Sequence, residues 1–254
     1  MGKRFLFWES YLCWFSLCII IKGRRREGGR TMALQIGCFG VMLFLVGCAL
    51  YTLCNRKYRK YFVLCKMLCS TTFLGTALIM AGTYGKWREF LQLLPALLFC
   101  YLGDLLLGVH NKNRKSSFFL GGTVSFGIAH GCFFVVLFGQ QPLQWLDMVA
   151  VVLIPLFIWL LGSSKSFHFG RYQYMAMGYG ALVAGFSWKC ILNAVALPNA
   201  ANILMAVGGV LFFVSDSIIF LTSFWKKKVW AFHGINFVTY YMAMYVITMT
   251  IAYR

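Results

Sequence analysis

Acidic residues are scarce in this chain, which has six aspartates and glutamates among 254 residues, against 24 lysines and arginines. All charged residues together make up 12% of the sequence, whereas a soluble domain has about 25%. The charge that a water-soluble surface needs is therefore missing. Hydrophobic residues supply 61% of the chain, in runs of about 20 residues, the length of a helix that crosses a bilayer. The composition predicts an integral, multi-pass membrane protein.

Several functional motifs are absent as well. The ten cysteines form no C-x-x-C pair, so neither a zinc site nor a disulfide framework is indicated. Serine hydrolase, zinc protease and nucleotide-binding functions lack their G-x-S-x-G, H-E-x-x-H and glycine-rich loop motifs. We expect no metal ion and no cofactor. Nucleic acid is not an expected partner, despite the net charge of +18, because no polar domain exists to carry the interface.

Eight hydrophobic runs are long enough to span a membrane. Irregular backbone would leave polar groups unpaired in lipid, so each run should be a helix. The short loops indicate that successive helices are antiparallel neighbours. The sequence thus predicts an all-α polytopic membrane helix bundle over residues 32–254, with eight transmembrane helices at 32–54, 61–81, 90–109, 118–139, 145–162, 172–195, 201–223 and 230–252.

Residues 1–31 form an N-terminal extension with a weaker hydrophobic segment at 5–21 and a basic linker. With the eight strong spans alone, one side of the membrane receives twelve basic loop residues and the other receives four. Cytoplasmic loops are enriched in lysine and arginine, so the first side should be cytoplasmic. If 5–21 also spanned, the contrast would weaken to fourteen against nine. We therefore expect that this segment does not span, or that translation starts at Met32.

Three ionisable side chains lie well inside the predicted spans, namely Lys66, Asp104 and Asp216. An ionised group in hydrocarbon costs at least a few kcal/mol, and such groups normally face the bundle interior and pair there. At 1.5 Å per residue, the aspartates lie roughly 8–12 Å from the cytoplasmic ends of their spans, and Lys66 lies at a similar level. The sequence predicts that three different helices bring these groups together.

Further polar side chains fall in the same half of the predicted bundle: His130, Ser215, Tyr179, Tyr240 and Tyr241. Together they predict a cavity that opens toward the inner leaflet and contacts a substrate. A structural interpretation stays open beside this one. In it, Lys66 forms an interior ion pair with one aspartate, His130 is an interior hydrogen-bonding group, and the tyrosines only pack.

Five segments of the chain, in order over residues 32–252, resemble the YhhN-like family, which includes the lysoplasmalogenases. The resemblance implies eight helices and hydrolysis of the vinyl ether bond of a lysoplasmalogen, a lysophospholipid. The products would be a fatty aldehyde and glycerophosphoethanolamine or glycerophosphocholine. The segments are the stretch around Lys66, LLFCYLGDLLLG with Asp104, FLGGTVSFGIAHGCFF with His130, GGVLFFVSDSIIF with Ser215 and Asp216, and VTYYMAMYVI with Tyr240 and Tyr241.

Vinyl ether hydrolysis needs one acid and one base, as glycosidases with two carboxylates do. We therefore expect Asp104 and Asp216 to be catalytic, one of them neutral in apolar surroundings and the other kept ionised by Lys66. The sequence leaves open which is which. Lys66 or the basic loops would hold the substrate phosphate, while Gly122, Phe126 and Gly209 would allow close helix contact beside the acyl chain.

Two other functions fit the same residues. Buried acids and a lysine also build proton relays, so a proton-coupled transporter or a lipid flippase is the main alternative, and a liposome transport assay separates it from an enzyme. A non-catalytic membrane scaffold is the other, in which Asp→Asn changes affect melting alone. The expected membrane is the endoplasmic reticulum in a eukaryote and the plasma membrane in a bacterium. The sequence predicts no oligomeric state.

Overall fold

The computed structural model describes residues 28–55, 57–113, 116–227 and 229–254. The predicted segment at 5–21 lies outside these residues, and the first helix begins four residues before the predicted span. Within the described part, eight α-helices follow one another: α1 (Gly28–Cys54), α2 (Phe62–Tyr84), α3 (Trp87–Asn113), α4 (Ser116–Phe138), α5 (Met148–Gly162), α6 (Gln173–Ala196), α7 (Ala200–Phe224) and α8 (Ala231–Met249).

All eight helical segments are long and apolar enough to cross a membrane. Each coincides with one predicted span, and the described residues contain no β-strand. The prediction of an all-α polytopic helix bundle is therefore confirmed. Short 3₁₀ turns precede α2, α5 and α6, and another follows α8. Successive helices pack against each other as the short loops predict, except for α4 and α5, which make little direct contact and are joined instead through α6.

Three connections that carry basic residues, α1–α2, α5–α6 and α7–α8, lie at one end of the bundle, which we call the basic end. His168 N donates to Phe224 O at 2.9 Å and Lys226 N donates to Ser166 O at 3.0 Å, which joins the α5–α6 loop to the α7–α8 loop. Arg59, in the α1–α2 connection, lines a cavity there together with the start of α8. This is the end that the loop charges predict to face the cytoplasm.

Helix α8 lies in the middle of the bundle and α5 at its periphery. Helix α8 packs against α1, α2 and α7, and 83% of its most apolar window is buried, against 11% for α5 and its leading turn. Tyr240 and Tyr241 of α8 are consequently buried. A central α8 brings the hydroxyl group of Tyr240 to the buried acid Asp104 of α3.

Helices α3 and α4 approach closely next to Asp104. A Cβ atom on Gly103 would lie 2.7 Å from the ring of Phe126, and one on Gly122 would lie 2.7 Å from Leu107. Neither position therefore has room for a side chain. The predicted close contact at Gly122 is confirmed, and the absence of a side chain at Gly103 lets Phe126 pack directly beside the acid.

Candidate functional site

A buried ion pair between α2 and α3 forms the base of the site. Lys66 Nζ lies 3.1 Å from Asp104 Oδ1, and the side chain of Asp104 is 1% exposed. The surrounding bundle leaves little of this carboxylate exposed to solvent. A buried charge of this kind persists only when it is paired and hydrogen-bonded. Lys66 meets the first of these two requirements.

Two hydroxyl groups meet the second requirement. Ser70 Oγ donates to Asp104 Oδ2 at 2.7 Å, and Tyr240 OH donates to the same oxygen at 2.8 Å. Asp104 thus accepts from three donors, of which two come from α2 and one from α8. Donors on both oxygens, one of them an ammonium group, favour the ionised form of a carboxyl group.

A further layer holds these donors in place. Tyr241 OH donates to the backbone oxygen of Lys66 at 2.9 Å, and it lies 2.9 Å from Ser70 Oγ. Sequence analysis missed Ser70, although a signal was present. Ser70 follows Lys66 by four residues, so both side chains lie on one face of α2.

Asp216 of α7 has a different environment. Among the described residues, its hydrogen-bond donor is the hydroxyl group of Tyr179 on α6, and no cation pairs with it. Next to it, Asn236 Nδ2 of α8 donates to Ser215 O and Ser215 Oγ, both at 2.8 Å. Ser215 therefore fixes α7 against α8.

Both aspartates line one cavity of about 440 Å³, which we call the carboxylate cavity. It is open at the basic end, where His110, Ser116 and Tyr172 form part of its wall. The predicted convergence of the three ionisable groups from α2, α3 and α7 is found in the structure. The cavity contains five of the eight predicted site residues: Lys66, Asp104, Ser215, Asp216 and Tyr240.

The other three predicted residues lie behind the cavity wall. Tyr179 contacts it through Asp216, and Tyr241 through Ser70 and Lys66. His130 is fully buried, and its Nδ1 lies 2.7 Å from Phe126 O. Its ring is perpendicular to that of Tyr179, with the ring centroids 6.0 Å apart. His130 therefore supports the second aspartate from outside the cavity.

Two further cavities adjoin the carboxylate cavity. One, which we call the vestibule, has a volume of about 910 Å³ and lies at the basic end, lined by Arg59, Lys60, Lys66 and His233. The other, which we call the groove, has a volume of about 290 Å³ and is largely apolar. Lys66 lines both the vestibule and the carboxylate cavity, and Asp216 lines both the carboxylate cavity and the groove.

A second buried ion pair lies at the opposite end of the bundle. Lys189 Nζ lies 2.9 Å from Asp147 Oδ2, and the side chains are 2% and 4% exposed. Their separation of 42 residues gives no local signal for the contact. Among the described residues, no group of three or more potential metal ligands comes together anywhere in the bundle.

Comparison with known proteins identifies the family. The model of the YhhN family matches residues 61–251, which extend from the start of α2 to the turn after α8. Searches of curated proteins and of solved structures each return no significant match. The matched region includes every residue of the carboxylate cavity. It covers about three quarters of the chain, and the chain therefore belongs to the YhhN family.

Proposed function

We propose that this protein hydrolyses the vinyl ether bond of a lysoplasmalogen to a fatty aldehyde and a glycerophosphoethanolamine or glycerophosphocholine. The observation that carries the proposal is that Asp104 and Asp216, from two different helices, line one cavity together with Lys66. Membership of the YhhN family supports a lysoplasmalogenase-type reaction. The cavity adds the acid and the base that this reaction needs.

Asp216 is the proton donor in this proposal. A vinyl ether is cleaved by protonation of its outer carbon, which leaves a positive charge shared by the inner carbon and the ether oxygen. The donor must therefore be a neutral carboxylic acid. Asp216 is buried, its hydrogen-bond donor in the described chain is Tyr179, and it has no cation partner. Apolar surroundings without a counter-charge favour the neutral form of a carboxyl group.

Asp104 is the base. Three donors, one of them an ammonium group, hold its carboxylate in the ionised form. Its oxygens together offer about four lone-pair positions, so about one stays available for a water molecule. The negative charge also stabilises the cation that forms when the outer carbon is protonated. The same cavity thus contains a neutral carboxyl group that acts as the acid and an ionised one that acts as the base.

The reaction balances with one water molecule. Asp216 transfers its proton to the outer carbon, and Asp104 takes a proton from water as the water oxygen bonds to the inner carbon. The resulting hemiacetal loses its hydroxyl proton and breaks the bond to the glycerol oxygen, which is protonated as it leaves. A proton then returns from Asp104 to Asp216 through the shared cavity, which restores the starting state.

The vestibule accounts for the charged end of the substrate. Arg59 and Lys60 line it from the turn that leads into α2, Lys66 from α2 itself and His233 from α8. A cluster of basic groups raises the local concentration of an anion such as the phosphodiester of a lysophospholipid. Lys66 lies where the vestibule meets the carboxylate cavity, so it contacts the phosphate side of the substrate while it pairs with the base.

The test is release of fatty aldehyde from lysoplasmenylcholine and lysoplasmenylethanolamine by the purified full chain in detergent. We expect Asp216→Asn to abolish turnover while the protein keeps its melting temperature. Glu89→Gln is the matched control, because it converts an acid to its amide at the start of α3, at the end of the bundle away from the cavity. Folded wild-type protein that releases no aldehyde from either lipid contradicts the proposal.

A further inference from the structure

The groove is bounded mainly by four helices, α4, α5, α6 and α7, with Leu107 of α3 at one edge. Asp216 lies at its border, since this residue also lines the carboxylate cavity. The wall of the groove is formed mostly by aromatic and aliphatic side chains. Representative members are Phe119, Phe126, Ile154, Ile158, Val183 and Phe220.

We propose that the groove binds the hydrocarbon chain of the lysophospholipid and thereby places the first bond of that chain, the vinyl ether, against Asp216. The proposal rests on the proposed function and adds the position of the substrate to it. The chain then extends from Asp216 into the groove, while the glycerol and the phosphate extend through the carboxylate cavity into the vestibule. The shared walls at Asp216 and Lys66 make this one continuous path.

The hydrogen bonds of the groove favour an apolar occupant. The hydroxyl groups of Thr123 and Ser217 donate to backbone oxygens of their own helices. The hydroxyl group of Tyr179 donates to Asp216. Of the five polar side chains that line the groove, these three therefore have no proton to offer to a ligand there. The other two, Asp216 and Ser223, lie at the border and also line the carboxylate cavity. A sugar or peptide would lose its bonds to water there, whereas a hydrocarbon chain loses none.

The position of α5 allows the chain to enter from the side. Phe157 lines the groove and is 56% exposed on the outer surface of this peripheral helix. The surface around it is apolar, with Leu153, Leu156 and Leu160 also exposed. A lipid chain can therefore move from the bilayer into the groove without leaving an apolar environment. Because the chain exchanges one apolar environment for another, the groove positions the lipid more than it adds affinity.

Photo-crosslinking tests this placement without requiring turnover. The probe is a 1-O-alkyl lysophosphatidylcholine with a diazirine in its chain, which lacks the vinyl ether double bond. The full-length chain in lipid nanodiscs is irradiated with the probe, digested and analysed by mass spectrometry. We expect adducts on residues 154–161 and 175–183 that excess unlabelled 1-O-alkyl lysophosphatidylcholine removes. Competed adducts that map to other helices, such as the exposed face of α1, overturn the proposal.

A variant that fills the groove sharpens the test. Ala176 is buried in the groove wall, and Ala176→Leu should lower the competed labelling about tenfold, the discrimination expected from added methylene groups in an apolar pocket. Val152→Leu, on the exposed face of α5, is the matched control. Ser217→Leu gives a second obstruction from α7 if Ala176→Leu does not fold. Unchanged labelling in a folded variant also overturns the proposal.

The two proposals fail separately. Wild-type protein that is labelled in the groove but releases no aldehyde refutes the hydrolase and leaves the chain site standing. Wild-type protein that releases aldehyde but carries its competed label elsewhere refutes the chain site alone. Crosslinking and aldehyde release are therefore measured on the same preparation.

Discussion

Two buried lysine–aspartate pairs lie at opposite ends of this bundle, and they are close to identical in chemistry. Lys66 lies 3.1 Å from Asp104 at the basic end, and Lys189 lies 2.9 Å from Asp147 at the other end. All four side chains are at least nine-tenths buried. An argument from burial and pairing alone would give both pairs the same function.

The two ion pairs differ in the groups that surround them. Asp147 Oδ2 accepts from the backbone N–H of Gln144 at 2.7 Å, and Lys189 donates to Pro142 O at 3.1 Å, so this pair closes the α4–α5 loop onto α6. Asp104 accepts from side chains of two helices and borders a cavity that contains a second carboxyl group. Access and a partner acid, rather than the ion pair itself, are the reasons to propose a reactive site at one end and a structural pair at the other.

The largest difference in kcat is expected between two matched variants, Asp104→Asn and Asp147→Asn. Loss of the base in Asp104→Asn should lower kcat by about 10²–10⁴-fold. Asp147→Asn should leave kcat within about twofold of wild type, as expected for a distant site. Aldehyde release by folded, size-homogeneous protein measures both. Equal losses of kcat in the two variants would remove the distinction between the pairs.

The next largest difference in activity is expected between variants of the two lysines, Lys66 and Lys189. Lys66→Met removes the counter-charge of the base and one cation of the vestibule, so we expect kcat/KM to fall by about 10–100-fold, the range for a charged hydrogen bond. Part of this loss should appear in KM, because Lys66 also faces the phosphate side of the substrate. Lys189→Met is the control at the opposite end. A kcat/KM for Lys66→Met equal to that of Lys189→Met would contradict the assignment.

A smaller effect is expected from Tyr179→Phe, which removes the hydroxyl group that bonds to Asp216. We expect kcat to fall by about 3–10-fold, which corresponds to one net hydrogen bond. Tyr174→Phe on the same helix is the control, since Tyr174 is 83% exposed. If Tyr179 is only a packing residue, the phenylalanine ring will replace it fully and kcat of Tyr179→Phe will equal the wild-type value.

The smallest effect on activity and the largest on stability are expected at the second pair. Asp147→Asn leaves Lys189 buried without its charge partner, which typically costs about 3–5 kcal/mol. The melting temperature in detergent should therefore fall clearly below that of Glu89→Gln. The double variant Asp147→Asn with Lys189→Met should recover part of the loss. Melting of Asp147→Asn at the wild-type temperature would show that the pair does not stabilise the loop.

The bundle and the level of its ionisable groups follow from local properties of the sequence. Run length and apolar composition define a membrane helix, so the spans could be predicted. The distance of each residue from the end of its helix placed Lys66, Asp104 and Asp216 at one depth in the membrane. The rotation of each helix is set by packing between distant segments. For this reason the sequence did not indicate Ser70 as a donor to Asp104, the Asn236 bonds to Ser215, or the Lys189–Asp147 contact.

The same limit explains the three predicted residues outside the cavity. A polar residue in a membrane helix indicates an interior position. It does not indicate whether the side chain lines the cavity or lies behind the cavity wall. His130 and Tyr241 are interior, as predicted, and contact the backbone oxygens of Phe126 and Lys66. Their proposed contact with the substrate becomes an indirect role, in which they support residues that line the cavity.

The most direct test of the central claim is hydrolysis of lysoplasmenylcholine in D₂O, with the aldehyde reduced to its alcohol as it forms and analysed by mass spectrometry. Protonation of the outer vinyl carbon by Asp216 predicts one deuterium on the carbon next to the former carbonyl in the wild-type product. Asp216→Asn should give no product above the rate of the buffer. An aldehyde without this deuterium, or equal product from Asp216→Asn, would contradict the account.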